Sequence, residues 1–346
     1  MFLETIKVQA LFLAMLIMLG LSPANAAERK AGPLVVVSIK PLHSLVAGVM
    51  KGVAEPLLIV DGNASPHTYR LKPSAARELQ EADAIFWAGG NVETFLIKPL
   101  ASLPRHAMVV ALSQVPGIEL LPMRGGERWE TDHDHEHGHS AGNEEHEEHE
   151  EHEEHEEHEE HEEHEEHEEH EGILQNIDPH VWLDPRNAKA MVQSIVQTLS
   201  DIDPRHARQY RKNGQQIEAR LEKLDRRLGA ELEAVSGQPY MVFHDAYQYL
   251  ENRYYLNAVG SVVFQMDQAS SAKRLRRLHQ MIKNDGISCV FSEPEFSTKK
   301  INALIDGTDI KTAALDPLGS AFPPGPDLYF SMMTELARTI RSCLSD

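Results

Sequence analysis

Two histidine-rich runs dominate the chemistry that this sequence could perform. The first, "DHDHEHGH", covers residues 132–139, and the second is nine uninterrupted copies of the triplet "EEH" over residues 144–170. Neutral imidazole is the commonest metal ligand in proteins, and a string of imidazoles offers many pairs and triples that can close on zinc, copper or nickel. The two runs hold 13 of the 20 histidines of the chain: His133, His135, His137, His139, His146, His149, His152, His155, His158, His161, His164, His167 and His170.

The composition of these runs predicts weak binding of several ions rather than one tight site. A stretch that has no large apolar side chains cannot offset the entropy cost of ordering, so we interpret it as a solvated, disordered loop. Each ion would have to order its own site at the moment of binding, which lowers the affinity. A solubilising acidic tract is the alternative, although glutamate alone would serve that purpose. A tight metal site must therefore lie elsewhere.

Three of the remaining histidines are placed where a ligand site is expected. His67 follows the apolar run "EPLLIV", His244 ends "YMVFHD", and His180 lies in "DPHVWLDP" before a predicted helix. Ligands of open parallel sheets bind beyond the carboxyl ends of the strands. Three imidazoles and one oxygen ligand form a plausible tetrahedral zinc site. We interpret three other histidines as structural or surface residues: His106, His206 and His279.

The elements that must position these residues follow an alternating pattern. Short apolar runs without period-2 alternation, such as "PLVVVSI" and "AIFWAGG", are followed by amphipathic stretches, which predicts parallel sheets covered on both faces. A longer helix is predicted over residues 204–235, where apolar residues recur at 4-3-4 spacing. We interpret Gly214 as a weak point of that helix. The fold class predicted is α/β, with two parallel-sheet lobes joined by one long helix and the metal site in the cleft between them.

Charge and length limit the classes of function. The chain has 346 residues and a net charge of −21, but residues 132–171 carry 22 acidic groups and no basic ones. The rest of the chain has 33 basic groups against 32 acidic groups, so its charge is close to balanced. A body without a basic face is not expected to bind nucleic acid.

The first 26 residues are interpreted as a cleaved signal peptide. An apolar run over residues 10–21 precedes "ANA", a small-x-small cleavage pattern. A membrane anchor is the alternative, but the apolar run is short for a span. No cysteine lies near the cleavage point, so we expect a periplasmic protein without a lipid anchor there. The two cysteines, Cys289 and Cys343, favour a disulfide in an exported chain, with two separate buried thiols as the alternative.

Six segments of the chain resemble a known protein family. "SIKPLHSLVAGVM", "SPHTYRLKPSAARELQEAD", "DPHVWLDP", "VFHDAYQYL", "VFSEPEF" and "LDPLG" are similar to segments of ZnuA-type zinc-binding proteins of bacterial ABC transporters. The resemblance covers nearly all of the chain after the signal. It implies a signal peptide (1–26), an N-terminal lobe (27–203) with a His/Glu-rich loop at about 125–173, a linker helix (204–235) and a C-terminal lobe (236–346).

The resemblance also implies which residues bind the metal. The ligands of the family correspond to His67, His180 and His244, and Asp316 or a water is the expected fourth ligand. Pro66 stands where some members have a glutamate ligand, so that ligand is missing here. Cys289 and Cys343 match a disulfide of some zinc-specific members. The expected cargo is Zn²⁺, and the expected partners are a membrane permease and its ATPase, with the protein itself a monomer.

Two other classes of function remain open from the sequence. A zinc hydrolase or hydratase would need an open coordination position and a general base, for which Glu293 is the candidate. A passive zinc buffer or a metal-dependent adhesin is the other alternative.

Overall fold

The computed structural model describes residues 32–126, 128–129, 176–263 and 272–345. Residues 1–26, predicted to be a signal peptide, and all 13 histidines of the two histidine-rich runs lie outside these ranges. The described residues from Pro33 onward form one compact unit. None of the helices in the described ranges combines the length and apolar character that a membrane crossing requires.

The first half of the unit is built on a four-stranded parallel sheet. Its strand order is β2-β1-β3-β4, so the central strands β1 and β3 carry the most buried side chains. The edge strand β4 leaves Met108 and Val109 exposed. The elements are β1 (Val35–Val37), α1 (Lys40–Met50), β2 (Leu57–Leu58), α2 (Pro73–Glu81), β3 (Ala84–Trp87), α3 (Thr94–Ser102) and β4 (Met108–Ala111).

Two helices in antiparallel contact follow the first sheet in sequence. Helix α4 (Pro185–Ile202) begins at Pro185, and the Asp184 carboxylate caps it by accepting a hydrogen bond from the Arg186 amide. Helix α5 (Ala207–Leu232) lies where the long helix was predicted and is flanked by short 3-10 turns. Its buried side chains recur at helical spacing and pack on α1 and α4.

Gly214 is the place where helix α5 packs closely against helix α4, and not a weak point of helix α5. A Cβ atom at this position would lie 2.5 Å from Cγ2 of Val196 on α4. Glycine therefore allows the two helix backbones to approach, and the interpretation from sequence is corrected on this observation.

The second half repeats the order of the first sheet. Its parallel strands follow the order β6-β5-β7-β8, so β5 and β7 are neighbours in the centre. The disulfide Cys289–Cys343 joins β7 to α9, which confirms the predicted pairing. The elements are β5 (Pro239–Val242), α6 (Gln248–Tyr254), β6 (Asn257–Ser261), α7 (Ala272–Asn284), β7 (Cys289–Ser292), α8 (Lys299–Ile305), β8 (Lys311–Ala314) and α9 (Leu328–Leu344).

Hydrogen bonds between the two halves fix the cleft that separates the sheets. The Trp182 indole donates to the Pro317 carbonyl (2.9 Å), and the Tyr329 hydroxyl donates to the Trp182 carbonyl (2.7 Å). The buried Lys40 ammonium of the first half also donates to the carbonyls of Ser320 and Phe322. The predicted class, two parallel-sheet α/β lobes, is confirmed, and the residue limits of the lobes stay a prediction.

Candidate metal centre

Three histidines from three separate loops meet in the cleft. The Nε2 atom of His180 lies 3.4 Å from Nε2 of His67 and 3.4 Å from Nε2 of His244. Ligand atoms of all three residues lie within 4.8 Å of one another. No other group of three or more His, Cys, Asp or Glu side chains in the described ranges could hold an ion in this way. The structure therefore brings together the three histidines that the sequence singled out.

Each loop is set by local structure. His67 lies in a turn after β2, where the Thr68 amide donates to the Ser65 carbonyl (3.3 Å). His180 directly precedes the 3-10 turn Val181–Leu183. His244 follows β5, the central strand of the second sheet, so its side chain is at the carboxyl edge where β5 and β7 run side by side.

A carboxylate holds the far nitrogen of two of the imidazoles. Nδ1 of His180 lies 2.8 Å from Oδ1 of Asp178, which also accepts the His180 amide at 3.0 Å. Nδ1 of His244 lies 2.7 Å from Oε1 of Glu293, which follows β7. An Nδ1–H that donates to a carboxylate leaves the Nε2 lone pair free, so both rings are oriented to offer Nε2 to a cation.

Burial sets the protonation of the cluster. Burial is the largest effect on His67 and His180, and with the neighbouring imidazoles it lowers the pKa of His67 well below 6.5 and that of His180 to about 3. Burial is also the largest effect on His244 and opposes its protonation, but the carboxylates of Glu293, Asp245 and Glu295 together outweigh it and raise the pKa of His244. Burial likewise raises the pKa of Asp178 to about 7. At neutral pH, His67 and His180 are therefore neutral and can donate lone pairs to a metal.

The cavity around the three rings fits an ion better than an organic ligand. Its volume is about 20 Å³, far below the range of about 300–1,000 Å³ that is usual for small-molecule sites. Mostly apolar side chains line it beside the histidines: Pro66, Trp182, Phe296, Pro317 and Leu318. Such walls exclude water and strengthen the electrostatic interactions inside.

Asp316 lies outside the group of three histidines. Its Oδ1 accepts the Leu318 amide (3.1 Å), and its Oδ2 accepts the Ser320 hydroxyl (2.7 Å) and the Ala321 amide (3.3 Å). Its carboxylate thus fixes the turn after β8. That Asp316 or a water completes the coordination stays a prediction.

The other histidines of the described ranges have structural or surface positions. Nε2 of the buried His43 lies 3.0 Å from the Pro56 carbonyl. His206 pairs with Asp203, and Nδ1 of His279 lies 2.8 Å from the Leu304 carbonyl. His106 is exposed. These positions agree with the roles expected for His106, His206 and His279.

Sequence reasoning missed two groups that support the site. Asp178 was not singled out, although its place two residues before His180 in "DPH" is the spacing at which a side chain can reach the following ring. Arg124 was also missed. Its guanidinium forms an ion pair with Asp245, next to His244, and with Glu251 (2.5 Å), and it stacks on Trp129. The ion-pair partners are more than 120 residues away in sequence, so no local pattern could have indicated them.

Comparison with known proteins gives a consistent result. A family model described as "ZnuA: Zinc-uptake complex component A periplasmic" matches residues 35–343. The high-affinity zinc uptake system protein ZnuA of Brucella suis biovar 1 is 45% identical over 339 residues, which is 98% of this chain and 99% of the relative.

Solved structures share the fold. A zinc-bound 138-173 deletion mutant of a ZnuA protein matches with a TM-score of 0.69 and 24% identity, covering 91% of this chain and 99% of that chain. The periplasmic zinc binding protein TroA from Treponema pallidum matches with a TM-score of 0.70 and 19% identity, covering 91% of this chain and 100% of that chain.

Proposed function

Because this chain belongs to the ZnuA family of periplasmic components of zinc-uptake complexes, we propose that it captures Zn²⁺ and delivers it to an ABC-type membrane permease. Zinc is the cargo, and His67, His180 and His244 are its protein ligands. The observation that carries this proposal is the convergence of three Nε2 atoms, with 3.4 Å between His180 and each of the other two.

The chemistry of the donors favours zinc. Imidazole nitrogens suit zinc, whereas manganese and magnesium prefer oxygen ligands. Zinc is usually four-coordinate and tetrahedral, and three ring nitrogens leave one position for an oxygen donor. Copper would bind the same donors more tightly, so selectivity in the cell rests on geometry and on which metal is available.

The cleft is built to offer its ligands without a large rearrangement. Asp178 and Glu293 orient the rings of His180 and His244, and the hydrogen bonds of Trp182 and Tyr329 hold the two halves together. A preorganised site binds more tightly because less freedom is lost on binding. Release of zinc to a permease should then proceed by movement of the loops that carry the ligands.

The histidine-rich runs are proposed to act as an auxiliary, low-affinity zinc scavenger. The described residues that flank them pair with one another: the Met123 amide donates to the Asn176 carbonyl (2.7 Å), and the Asp178 amide donates to the Leu121 carbonyl (2.9 Å). The described chain before the segment and the described chain after it are therefore paired beside Asp178, which orients His180. A tether of this kind raises the local concentration of its cargo near the cleft.

A periplasmic location fits the family and the predicted signal peptide of residues 1–26. We propose that this segment is removed on export, that the mature protein is a monomer without nucleic-acid partners, and that its partners are the cognate permease and ATPase of the inner membrane.

An enzymatic role has no support in the site. The general base that such a role would need was Glu293, but its Oε1 accepts the Nδ1–H of His244. Glu293 therefore holds a proposed ligand, and the family itself is one of solute-binding proteins.

A competition titration against a chromophoric zinc chelator tests the proposal. The full chain should show one tight equivalent followed by weaker sites. His67→Ala, His180→Ala and His244→Ala should each weaken the tight phase by at least about 100-fold, because loss of an outer partner alone typically costs about 10- to 100-fold. The exposed His106→Ala is the control and should bind as the wild type does. Unchanged tight binding in all three variants would refute the proposal.

A further inference from the structure

Glu295 faces the metal cavity and has no role in the arrangement described so far. It lies in the turn after β7, in "SEPEF", and lines the same cavity as the three histidines. Both of its carboxyl oxygens are shielded from solvent, and within the described ranges no hydrogen-bond donor of another residue reaches either of them. A carboxyl group buried in this way is costly unless a donor or a cation satisfies it.

The other two carboxylates at this edge already accept hydrogen bonds, although Oε2 of Glu293 has no partner within the described ranges. Oε1 of Glu293 is occupied by the His244 ring, at 2.7 Å. The oxygens of Asp316 accept three hydrogen bonds from the turn that follows it, including the Ser320 hydroxyl at 2.7 Å. Turning Asp316 toward a metal would break hydrogen bonds that each contribute about 0.5–1.5 kcal/mol. Glu295 is the carboxylate whose two oxygens are both still available.

The electrostatic setting of Glu295 also favours a cation beside its carboxylate. Burial, followed by the nearby Glu293 carboxylate, raises the pKa of Glu295 to about 8. Coulombic interactions also link Glu295 to His244. A divalent cation held by three neutral imidazoles would reverse this balance and favour the ionised carboxylate.

We infer that Glu295 supplies the fourth ligand of the loaded site, in preference to Asp316 or a water. This inference rests on the proposed zinc-binding function. A glutamate oxygen is a normal zinc ligand and completes a tetrahedral set of three nitrogens and one oxygen. Its carboxylate lies outside the group of ligand atoms within 4.8 Å of one another, so the side chain must rotate about its own torsions to reach the ion, and no hydrogen bond from another described residue to its oxygens opposes that rotation.

Cobalt substitution tests this inference on the full chain. One equivalent of Co²⁺ fills the tightest site, and its visible absorption bands report the ligand set. A metal-bound water at a three-histidine site ionises near about pH 7, whereas a carboxylate ligand does not ionise in that range. The wild-type spectrum should therefore stay constant between about pH 6.5 and 9.

Substitutions of the candidate ligands test the same inference from the other side. Glu295→Gln should make the cobalt spectrum depend on pH and should lower the zinc affinity at least about 10-fold, the smaller end of the loss seen for outer partners. Asp316→Asn should keep a spectrum that is constant with pH. Glu81→Gln, at the exposed end of α2, is the matched control and should change nothing.

Three results would overturn the inference. A wild-type cobalt spectrum that titrates near neutral pH would make water the fourth ligand, and this measurement does not depend on the folding of any variant. A wild-type spectrum and affinity in Glu295→Gln would exclude the residue. A change confined to Asp316→Asn would assign the role to Asp316. In each case His67→Ala would still abolish tight binding, whereas failure of the proposed function would leave His67→Ala unchanged.

Discussion

Replacing Glu293 probes how far the orientation of one imidazole controls zinc capture. The carboxylate is buried, 2% exposed, and its Oε1 lies 2.7 Å from Nδ1 of His244. Glu293→Gln keeps an oxygen acceptor but removes the charge, and Glu293→Ala removes the acceptor as well. Because His244 would lose the group that fixes its tautomer, its Nε2 lone pair would be less available to the metal.

The strength of the hydrogen bond between Glu293 and His244 sets the expected loss of zinc affinity. A hydrogen bond to a charged group contributes about 1.5–3 kcal/mol, and each 1.4 kcal/mol corresponds to roughly a tenfold change in affinity. Glu293→Gln should therefore weaken zinc binding by about 10-fold, and Glu293→Ala by about 100-fold.

The assay is chelator competition on the metal-free protein, with thermal unfolding to establish that each variant is folded. Glu81→Gln, an exposed substitution of the same type, should bind zinc as the wild type does. Wild-type affinity in both Glu293 variants, alongside loss of binding in His244→Ala, would show that the hydrogen bond does not position the ligand and would refute this reasoning.

Three further predictions concern stability and the histidine-rich runs. Burial raises the pKa of Glu93 from 4.5 to about 7, so ionisation of this side chain should cost the wild type up to about 3 kcal/mol of unfolding free energy as pH rises from 4.5 through 7. Urea unfolding at several pH values should show that loss reduced in Glu93→Gln, and equal pH profiles would contradict it. Gly214→Ala should lower the unfolding free energy by about 1–3 kcal/mol because the added methyl group would clash with Val196. Gly229→Ala in the same helix is the control and should raise the unfolding free energy by up to about 1 kcal/mol. Thermal unfolding measures both changes, and stabilisation by both substitutions would contradict the close-packing argument. Deletion of residues 132–171 should remove the weak phase in zinc calorimetry and keep the tight phase, and loss of the tight phase would show that the runs belong to the principal site.

Much of the fold was predictable because its elements have strong local signals. The uninterrupted apolar run of β1 indicates a central buried strand, and the 4-3-4 spacing of Ile217, Leu221, Leu224 and Leu228 predicts the long helix. The positions of His67 and His244 after strands, and of His180 before a helix, followed from the same signals. What a local pattern cannot show is the partner of a close contact, so Gly214 was misinterpreted.

The supporting groups of the site were harder to predict because they depend on pairs that only the folded chain brings together. The side chain of Asp178 has meaning only once it is buried under His180, and Arg124 pairs with Asp245 across 121 residues. Glu295 shows the same limit, since a glutamate in a turn is unremarkable in sequence. Only the folded structure shows that both of its carboxyl oxygens are shielded from solvent and lack a hydrogen-bond donor within the described ranges.

The most direct test of the central claim is a crystal structure of the chain loaded with one equivalent of Zn²⁺, with anomalous differences measured at the zinc absorption edge. The account predicts one strong peak in the cleft, about 2.0–2.1 Å from each Nε2 atom of His67, His180 and His244. A principal peak at any other position, or one that contacts fewer than three of these nitrogens, would contradict it.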